Sequence, residues 1–323
     1  MADKAKVAFY WCASCGGCEE AVVDLAEGVL DVVAKVDIVF WPVAMDFKKK
    51  DVEAMPDGSI VAAFVNGAIR TDEQEEMAHL MRRKAQVLIA FGACSHLGGI
   101  PGLANLSDRE GVLNTSYRDT PSTVNPEGTR PQARFRDNGH TVTLPTLYDT
   151  VRTLDQVTDV DYYLPGCAPT PKLIAQALEA LLSGKLPPKG TVLAPDIALC
   201  DECDRRASKP DKVSISAFRR PSEVVLKEDE CLLAQGVLCM GPSTRSGCEA
   251  LCVKGNMPCT GCFGPTSRVK DHGAKALSGF AATAASNDAA EIEHILAGIP
   301  DPVGTFYRYS LAASLLRRRR GTA

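Results

Sequence analysis

The sequence has no run of 18 apolar residues, so no segment is suited to cross a membrane as an apolar helix. It lacks a GxGxxG motif and a Gly-rich or Ser/Thr-rich phosphate loop after its first apolar run, which argues against a dinucleotide or flavin site. A net charge of −4 argues against nucleic acid as a partner, and the one basic run, Arg317–Arg320, is interpreted as a solvated helix end. The start, MADKAKVAFYW, has neither a basic leader nor an apolar signal core, so we expect a cytoplasmic protein.

Cysteine, by contrast, is abundant, with thirteen in 323 residues. In a reducing cytoplasm, clustered cysteines bind metal more often than they form disulfides. Five of them are spread over residues 12–167: Cys12, Cys15, Cys18, Cys94 and Cys167. The other eight are crowded together further on: Cys200, Cys203, Cys231, Cys239, Cys248, Cys252, Cys259 and Cys262. Their grouping predicts metal centres.

The first half of the chain alternates apolar strands with helices. The predicted strands are residues 7–11, 35–41, 60–65, 86–91 and 161–164. Helices are predicted directly after the first strand, from the capping box Thr71–Gln74 to about Lys84, over Leu147–Leu154, and from N-cap Thr170 to about Leu182. The stretch 103–145 is predicted to be a surface insertion. Apolar strands separated by helices predict the α/β class, with a flavodoxin-like, doubly wound parallel sheet.

The first five cysteines follow predicted strands. Three come directly after the first strand, Cys94 follows the fourth and Cys167 follows the fifth. The carboxyl ends of parallel strands meet at one edge of a sheet, so these thiols should lie together. Four thiolates complete the ligand set of one [4Fe–4S] cluster, and the tight Cys15-x2-Cys18 spacing leaves Cys12 as the spare.

The last eight cysteines suffice for two further four-thiolate sites. Zinc ribbons are a rival interpretation, because CxxC pairs also suit tetrahedral zinc. Zinc would leave the strand-end set unexplained, whereas three sites of one type suggest an electron-transfer chain. We therefore predict two domains, a flavodoxin-like domain over residues 1–190 and a small irregular iron–sulfur domain over residues 191–323.

Several segments resemble the small subunits of [NiFe]-hydrogenases. CGGCEE (Cys15–Glu20), GACSHLGGIP (Gly92–Pro101) and LPGCAP (Leu164–Pro169) are similar, in order and spacing, to the three proximal-cluster motifs of that family. The resemblance continues through CLLAQGVLCMGP (Cys231–Pro242) and PCTGCFGP (Pro258–Pro265). These segments look most like the cytoplasmic methyl-viologen-reducing type, found with heterodisulfide-reductase-type partners.

The resemblance implies three ligand sets, named here by the clusters they would hold. The proximal quartet is Cys15, Cys18, Cys94 and Cys167; the medial quartet is Cys248, Cys252, Cys259 and Cys262; the distal quartet is Cys200, Cys203, Cys231 and Cys239. Periplasmic members usually have a histidine where Cys200 stands and a proline where Cys252 stands. All-thiolate ligation implies three [4Fe–4S] clusters, without a three-iron medial centre. Glu20 is a candidate for a proton path or simply a helix N-terminal carboxylate, and His96 is a candidate hydrogen-bond donor near the proximal cluster.

The implied function is electron transfer within a hydrogenase. With five histidines and no second cysteine constellation able to hold nickel, the chain would relay electrons from H2 oxidation at the NiFe site of a large subunit. The expected acceptor is an iron–sulfur or flavin subunit of a heterodisulfide-reductase-like complex. Segments Cys15–Glu20 and Cys94–Gly102 are expected to lie under the large subunit, and loop Asp201–Lys212, with Arg205 and Arg206, is expected to face the acceptor. The alternatives are a single-cluster subunit of the complex I type and a zinc-stapled scaffold protein.

Overall fold

The computed structural model describes residues 4–299 and 301–317. Its strands are β1 Ala5–Trp11, β2 Val36–Phe40, β3 Ile60–Asn66, β4 Ile69–Thr71, β5 Ala85–Phe91, β6 Arg134–Asp137, β7 His140–Thr143, β8 Leu147–Arg152, β9 Tyr162–Leu164 and β10 Thr191–Val192. Its α-helices are α1 Gly17–Val23, α2 Gly28–Lys35, α3 Lys49–Glu53, α4 Asp72–Lys84, α5 Ala93–Leu97, α6 Arg109–Asn114, α7 Pro171–Leu182, α8 Leu251–Lys254, α9 His272–Ala281, α10 Ala289–Ala297 and α11 Pro302–Phe306.

Six of the strands form one parallel sheet, in the order β10-β9-β5-β3-β1-β2. The five strands predicted from the sequence are present within two residues of their predicted bounds. Apart from the added edge strand β10, their order is the flavodoxin-like one, in which the strand order reverses beside β1. The predicted fold class is therefore confirmed, and β10, only two residues long, was not foreseen.

Apolar side chains cover both faces of this sheet. On one face Phe9, Phe64 and Phe91 pack together, with the ring centroids of Phe9 and Phe64 5.0 Å apart. On the other face Ile60 and Leu88 pack with the side chains of α4. A sheet buried on both faces needs strands that are apolar throughout, which is the pattern of β3 and β5.

Two helices begin where their capping residues predict. The Thr71 hydroxyl accepts a hydrogen bond from the Gln74 N–H at 3.3 Å, and the Gln74 side-chain oxygen accepts one from the Thr71 N–H at 3.1 Å. Thr170 accepts from the Leu173 N–H at 3.4 Å, and Pro171 is the first residue of α7. These local hydrogen bonds satisfy backbone donors that have no partner within a helix.

The helix predicted after β1 is interrupted. Helix α1 ends at Val23 and α2 begins at Gly28, because Ala26 between them adopts the left-handed conformation with φ of 51°. A non-glycine residue in that region cannot continue a right-handed helix.

The prediction of a helix over Leu147–Leu154 is wrong. Strand β8 occupies most of that segment and pairs antiparallel with β4. The side chain of Asn105 stabilises it by accepting from the Val151 N–H at 2.8 Å and donating to the Val151 carbonyl at 2.9 Å. These partners come from distant parts of the chain, so a local helical pattern could not reveal them.

The insertion at 103–145 lies mainly on the surface, as expected, but it contains regular structure. Helix α6 is followed by the exposed hairpin of β6 and β7. Asn138 and Gly139 turn the hairpin with φ of 47° and 83°. Two consecutive positive φ angles are the mark of a type I′ turn, for which Asn-Gly is the preferred sequence.

The thiol-rich segment has little regular structure. Between residues 199 and 262 it contains 3₁₀ turns and the four-residue helix α8. Leu232, Val237, Phe280 and Phe306 are buried in one apolar cluster that joins this segment to helices α9 and α11. The chain then returns to the sheet, where the Gly99 N–H donates to the Tyr309 carbonyl at 2.9 Å.

Among the described residues, no helix is long and apolar enough to span a membrane. Of the basic run, Arg317 is exposed, and Arg318–Arg320 lie outside the described residues.

Candidate metal centres

The sheet brings the four thiols of the proximal quartet together. At the ends of β5 and β9, the Gly92 N–H donates to the Leu164 carbonyl at 2.8 Å and the Ala93 N–H to the Gly166 carbonyl at 2.7 Å. This pairing places the first turn of α5, with Cys94, beside the loop that carries Cys167. Burial raises the pKa of Cys18, and the neighbouring thiols of the same quartet, Cys94, Cys167 and Cys15, raise it further.

Glycines allow the backbone to pass close to these sulfurs. A Cβ atom at Gly92 would overlap the Cys18 sulfur, and one at Gly99 would overlap the Cys94 sulfur. Both glycines have positive φ, 85° and 57°, so any other residue would also be strained there. The backbone around these sulfurs therefore suits a bulky group bound by the thiols, because no side chain of Gly92 or Gly99 stands in its way.

Cys12 is separate from this quartet. It is buried among apolar residues that include Ala8, Phe40 and Val52, on the opposite face of the sheet from Cys18. Burial alone raises its pKa, with no contribution from another cysteine. These surroundings support the prediction that Cys12 is the spare, and substitution tests it directly.

The four thiols of the distal quartet line one small cavity, together with apolar side chains such as Leu199, Leu232 and Val253. Burial raises the pKa of Cys200 to about 11, the ammonium group of Lys209 opposes this shift, and the thiols of Cys239, Cys231 and Cys203 add to it. Four sulfurs in one cavity form a donor set that suits an iron–sulfur cluster or a tetrahedral zinc ion.

The medial quartet lies between the other two. Burial and the thiols of Cys248, Cys167 and Cys252 raise the pKa of Cys262 to about 12, although the Cys167 N–H donates to its sulfur and lowers it. The medial quartet also contacts the distal one, because the Cys259 N–H donates to the Cys239 sulfur at 3.3 Å. The proximal and distal quartets are thus each in contact with the medial one.

None of the thirteen cysteines is in a disulfide, and burial raises the pKa of Cys94, Cys239 and Cys259, which favours their protonated form when no metal is bound. Metal binding would have to displace these protons, because the thiolate is the ligand. In the part of the chain that the structure describes, no three His, Cys, Asp or Glu side chains are arranged to hold a single metal ion.

The carboxylate buried beside the proximal quartet is Glu19, which sequence reasoning missed. It accepts hydrogen bonds from the Trp41 indole N–H and the Asn66 amide, and burial raises its pKa although both bonds lower it. Glu20, the residue singled out from the motif, is exposed on α1. The only available signal was the helical position of Glu19, next to Cys18 and on the same side as the buried Val22.

His96 packs its ring against Tyr163, with ring centroids 4.6 Å apart. Burial, followed by the charge of Arg245, lowers its pKa to about 3, so the ring is neutral at pH 7. Its Nδ1 atom is buried and has no hydrogen-bond partner among the described residues. Its suggested role as a donor near the proximal cluster stays a prediction.

Two expectations about exposed surfaces need correction. Arg205 is buried and donates to the carbonyls of Lys227, Glu230 and Val253, so it cannot contact a partner; Arg206 is exposed. Residues 94–99 are also mostly buried, because the returning C-terminal segment covers them. Within the predicted interface segment Cys94–Gly102, Ile100 is 48% exposed and keeps an open apolar surface.

Comparison with known proteins identifies the family. The sequence model described as "NADH ubiquinone oxidoreductase, 20 Kd subunit" matches residues 15–181. The iron–sulfur subunit of the F420-non-reducing hydrogenase of Archaeoglobus profundus is 38% identical over 317 residues, which cover 97% of this chain and 98% of that protein. The chain belongs to the family of iron–sulfur subunits of F420-non-reducing hydrogenases.

Another member of this family is similar in sequence over almost the whole chain. The corresponding subunit of the F420-non-reducing hydrogenase of Methanothermobacter thermautotrophicus is 36% identical, covering 98% of this chain and 97% of that protein. The solved [NiFeSe] hydrogenase of Desulfovibrio vulgaris Hildenborough has a chain that covers 81% of this one, and 94% of itself, at a TM-score of 0.52 and 16% identity. At that identity the likeness shows the fold alone. As a member of this family, the chain is an iron–sulfur subunit of a hydrogenase, an oxidoreductase.

Proposed function

We propose that each quartet holds one [4Fe–4S] cluster and that the chain relays electrons from H2 oxidation at the NiFe site of a large subunit to a redox partner. The contacts that link Cys167 to Cys262 and Cys259 to Cys239 carry this proposal. They support an order in which the medial quartet touches both the proximal and the distal one, and a stepwise electron relay needs such neighbouring sets. The physiological acceptor is proposed to be of the heterodisulfide-reductase type, on the resemblance described above.

The two alternatives explain less of the molecule. A single-cluster subunit of the complex I type would use the proximal quartet, which lies within the matched residues 15–181, but would leave the eight later cysteines without a role. A zinc-stapled scaffold would not require three quartets in contact with one another. Relatives that match almost the full chain are iron–sulfur hydrogenase subunits, which favours the relay.

Each cluster, when bound, supplies a site that takes up and releases one electron at a time. The protein's own part is to orient the thiols and to stabilise negative charge on sulfur. Backbone N–H groups of Gly241 and Cys259 donate to the Cys239 sulfur, and that of Ala250 donates to the Cys248 sulfur. Such hydrogen bonds, together with burial, tune cluster potentials.

The large subunit is proposed to cover the open side of the proximal quartet. Cys15 and Cys167 are exposed, whereas Cys18 and Cys94 are buried, so one side of the quartet faces outward. The Trp11 ring, 38% exposed, lies against Gly16 beside it, which gives this edge an aromatic contact surface. Glu20 is exposed on the same helix as Cys18 and remains a candidate for a proton path.

We also propose a cytoplasmic location and a division at about residue 190. Thirteen free thiols suit a reducing compartment. The flavodoxin-like domain would comprise residues 1–190 and the iron–sulfur domain residues 191–323; the short strand β10, just beyond that boundary, pairs with β9 of the sheet.

The relay can be tested separately from hydrogen activation. Exchange of D2 with water protons requires the large-subunit site but no electron relay, whereas acceptor reduction requires both. In the purified complex, Cys248→Ala should therefore keep D2 exchange and lose most H2-dependent acceptor reduction. Gel filtration must show that the variant still assembles. Unchanged acceptor reduction would contradict the assignment of Cys248 to the relay, and loss of both activities in an assembled complex would contradict a purely electron-transfer role.

A further inference from the structure

A groove of about 510 Å³ lies beside the distal quartet. Lys209, Leu233 and Pro242 line both this groove and the cavity of the four distal thiols, so the two share a wall. Part of its surface is apolar, with the exposed Ile197 and the half-buried Val213 contributing. The volume is within the range in which proteins bind small molecules or inserted side chains.

Three cations line this groove: Lys209, Arg268 and Lys275. Within residues 4–299 and 301–317, none of them has a carboxylate partner in an ion pair. Arg268 and Lys275 are exposed, and Lys209 is half-buried next to Cys200. The groove thus presents positive charge that the chain itself leaves uncompensated.

The carboxylates that line the groove do not compensate this charge, because both are already engaged. Asp196 pairs with the buried Arg245 at 2.8 Å and also accepts from the Ser267 N–H. Asp201 pairs with Arg206 at 2.8 Å. The three cations therefore remain available for an acidic partner.

We propose that this groove binds an acidic segment of the redox protein that accepts electrons from the distal quartet, with an apolar side chain of that segment resting on Ile197 and Val213. The inference rests on the proposed relay. It adds where the acceptor binds when electrons leave the distal quartet, and which charge the acceptor carries there. Electron-transfer contacts are small and transient, so charge complementarity beside the donor is an effective way to orient them. The shared wall would bring the bound segment next to the distal thiols.

The test uses the complete hydrogenase complex with two acceptors, an acidic plant-type [2Fe–2S] ferredoxin and a zwitterionic sulfonated viologen dye. Arg268→Glu combined with Lys275→Glu should lower kcat/KM for the ferredoxin by about tenfold or more and flatten its dependence on ionic strength. Reduction of the dye should stay within about twofold of the wild type. The matched control is Lys50→Glu with Lys185→Glu, two exposed lysines outside the groove that change the net charge equally.

The outcomes separate this inference from the relay itself. If the wild-type complex reduces neither acceptor with H2, the proposed relay fails. If it reduces the dye but not the ferredoxin, or if the groove variant and the control variant lose ferredoxin activity equally, the relay stands and the groove inference is wrong. If the groove variant changes only the oligomeric state on gel filtration, the groove is a contact between copies of the complex, and the inference is also wrong.

Discussion

Residues 5–182 and residues 199–262 position their thiols in different ways. In the first region, strand register and backbone hydrogen bonds at the ends of β5 and β9 place Cys94 and Cys167 at one sheet edge. The second region has only 3₁₀ turns and helix α8, so no ladder of hydrogen bonds holds its eight cysteines. We therefore expect the sheet to form without metal, whereas the thiol-rich region should depend on side-chain anchors and on bound clusters.

Two buried arginines are the main anchors of the thiol-rich region. Arg205 donates to three backbone carbonyls and to Asn256, and Arg245 donates to the carbonyls of Ala194, Pro195 and Pro265. A guanidinium group offers five donors in a fixed plane, so one side chain can hold several irregular loops at once. In residues 5–182, backbone N–H groups of neighbouring strands donate these hydrogen bonds instead.

Cluster removal should give the largest difference between the two regions. Anaerobic extraction of iron and sulfide should remove most hydrogen-exchange protection from residues 199–262, because the eight cysteines would lose the metal ligation that joins them. Strands β3 and β5 should keep their protection, since their apolar contacts and backbone hydrogen bonds need no metal. Exchange followed by mass spectrometry measures both regions in one experiment. Equal loss in the two regions would mean that the sheet also depends on its cluster.

Arg205→Ala should destabilise the thiol-rich region by about 1.5–3 kcal/mol, because it removes the hydrogen bonds of a buried guanidinium group, although Gln235 still donates to the carbonyls of Lys227 and Glu230. Arg206→Ala is the matched control, since Arg206 is exposed and makes a surface ion pair with Asp201. Arg206→Ala should lower the free energy of unfolding of the thiol-rich region by less than about 1 kcal/mol. Thermal loss of the visible iron–sulfur absorbance would show the difference. Similar effects of the two substitutions would disprove the anchoring role of Arg205.

Cys12→Ala should have the smallest effect, about 1 kcal/mol, because it removes one small buried apolar group and no predicted ligand. Cys15→Ala is the comparison, three residues away on the same segment. Electron paramagnetic resonance of the reduced complex should show all three clusters in the Cys12 variant and lose the proximal signal in the Cys15 variant. Loss of that signal in the Cys12 variant would place Cys12 in the quartet and put Cys15 or Cys18 in doubt.

The same regional contrast explains what the sequence could and could not predict. Five sheet strands and the caps at Thr71 and Thr170 were predictable, because they follow from periodicity and local hydrogen bonds. Strand β8 was mistaken for a helix, since its partners are β4 and Asn105. The burial of Arg205 was also missed, because a charged residue in a polar loop looks exposed until the loops that surround it are known.

For the candidate site, cysteines at strand ends predicted the proximal quartet, and the family resemblance implied the medial and distal ones; in the structure the members of each quartet lie near one another. The contacts between quartets could not be predicted, because they depend on how the irregular loops pack. The same limit applies to Glu19, whose burial depends on Trp41 and Asn66 from two other strands or their ends.

The most direct test of the three-cluster relay is the iron and acid-labile sulfide content of the anaerobically purified chain, determined together with zinc. Three [4Fe–4S] clusters predict about twelve irons and about twelve sulfides per chain, with negligible zinc. About four irons would indicate a single-cluster subunit. Zinc without sulfide would indicate a stapled scaffold, and either result would contradict the relay.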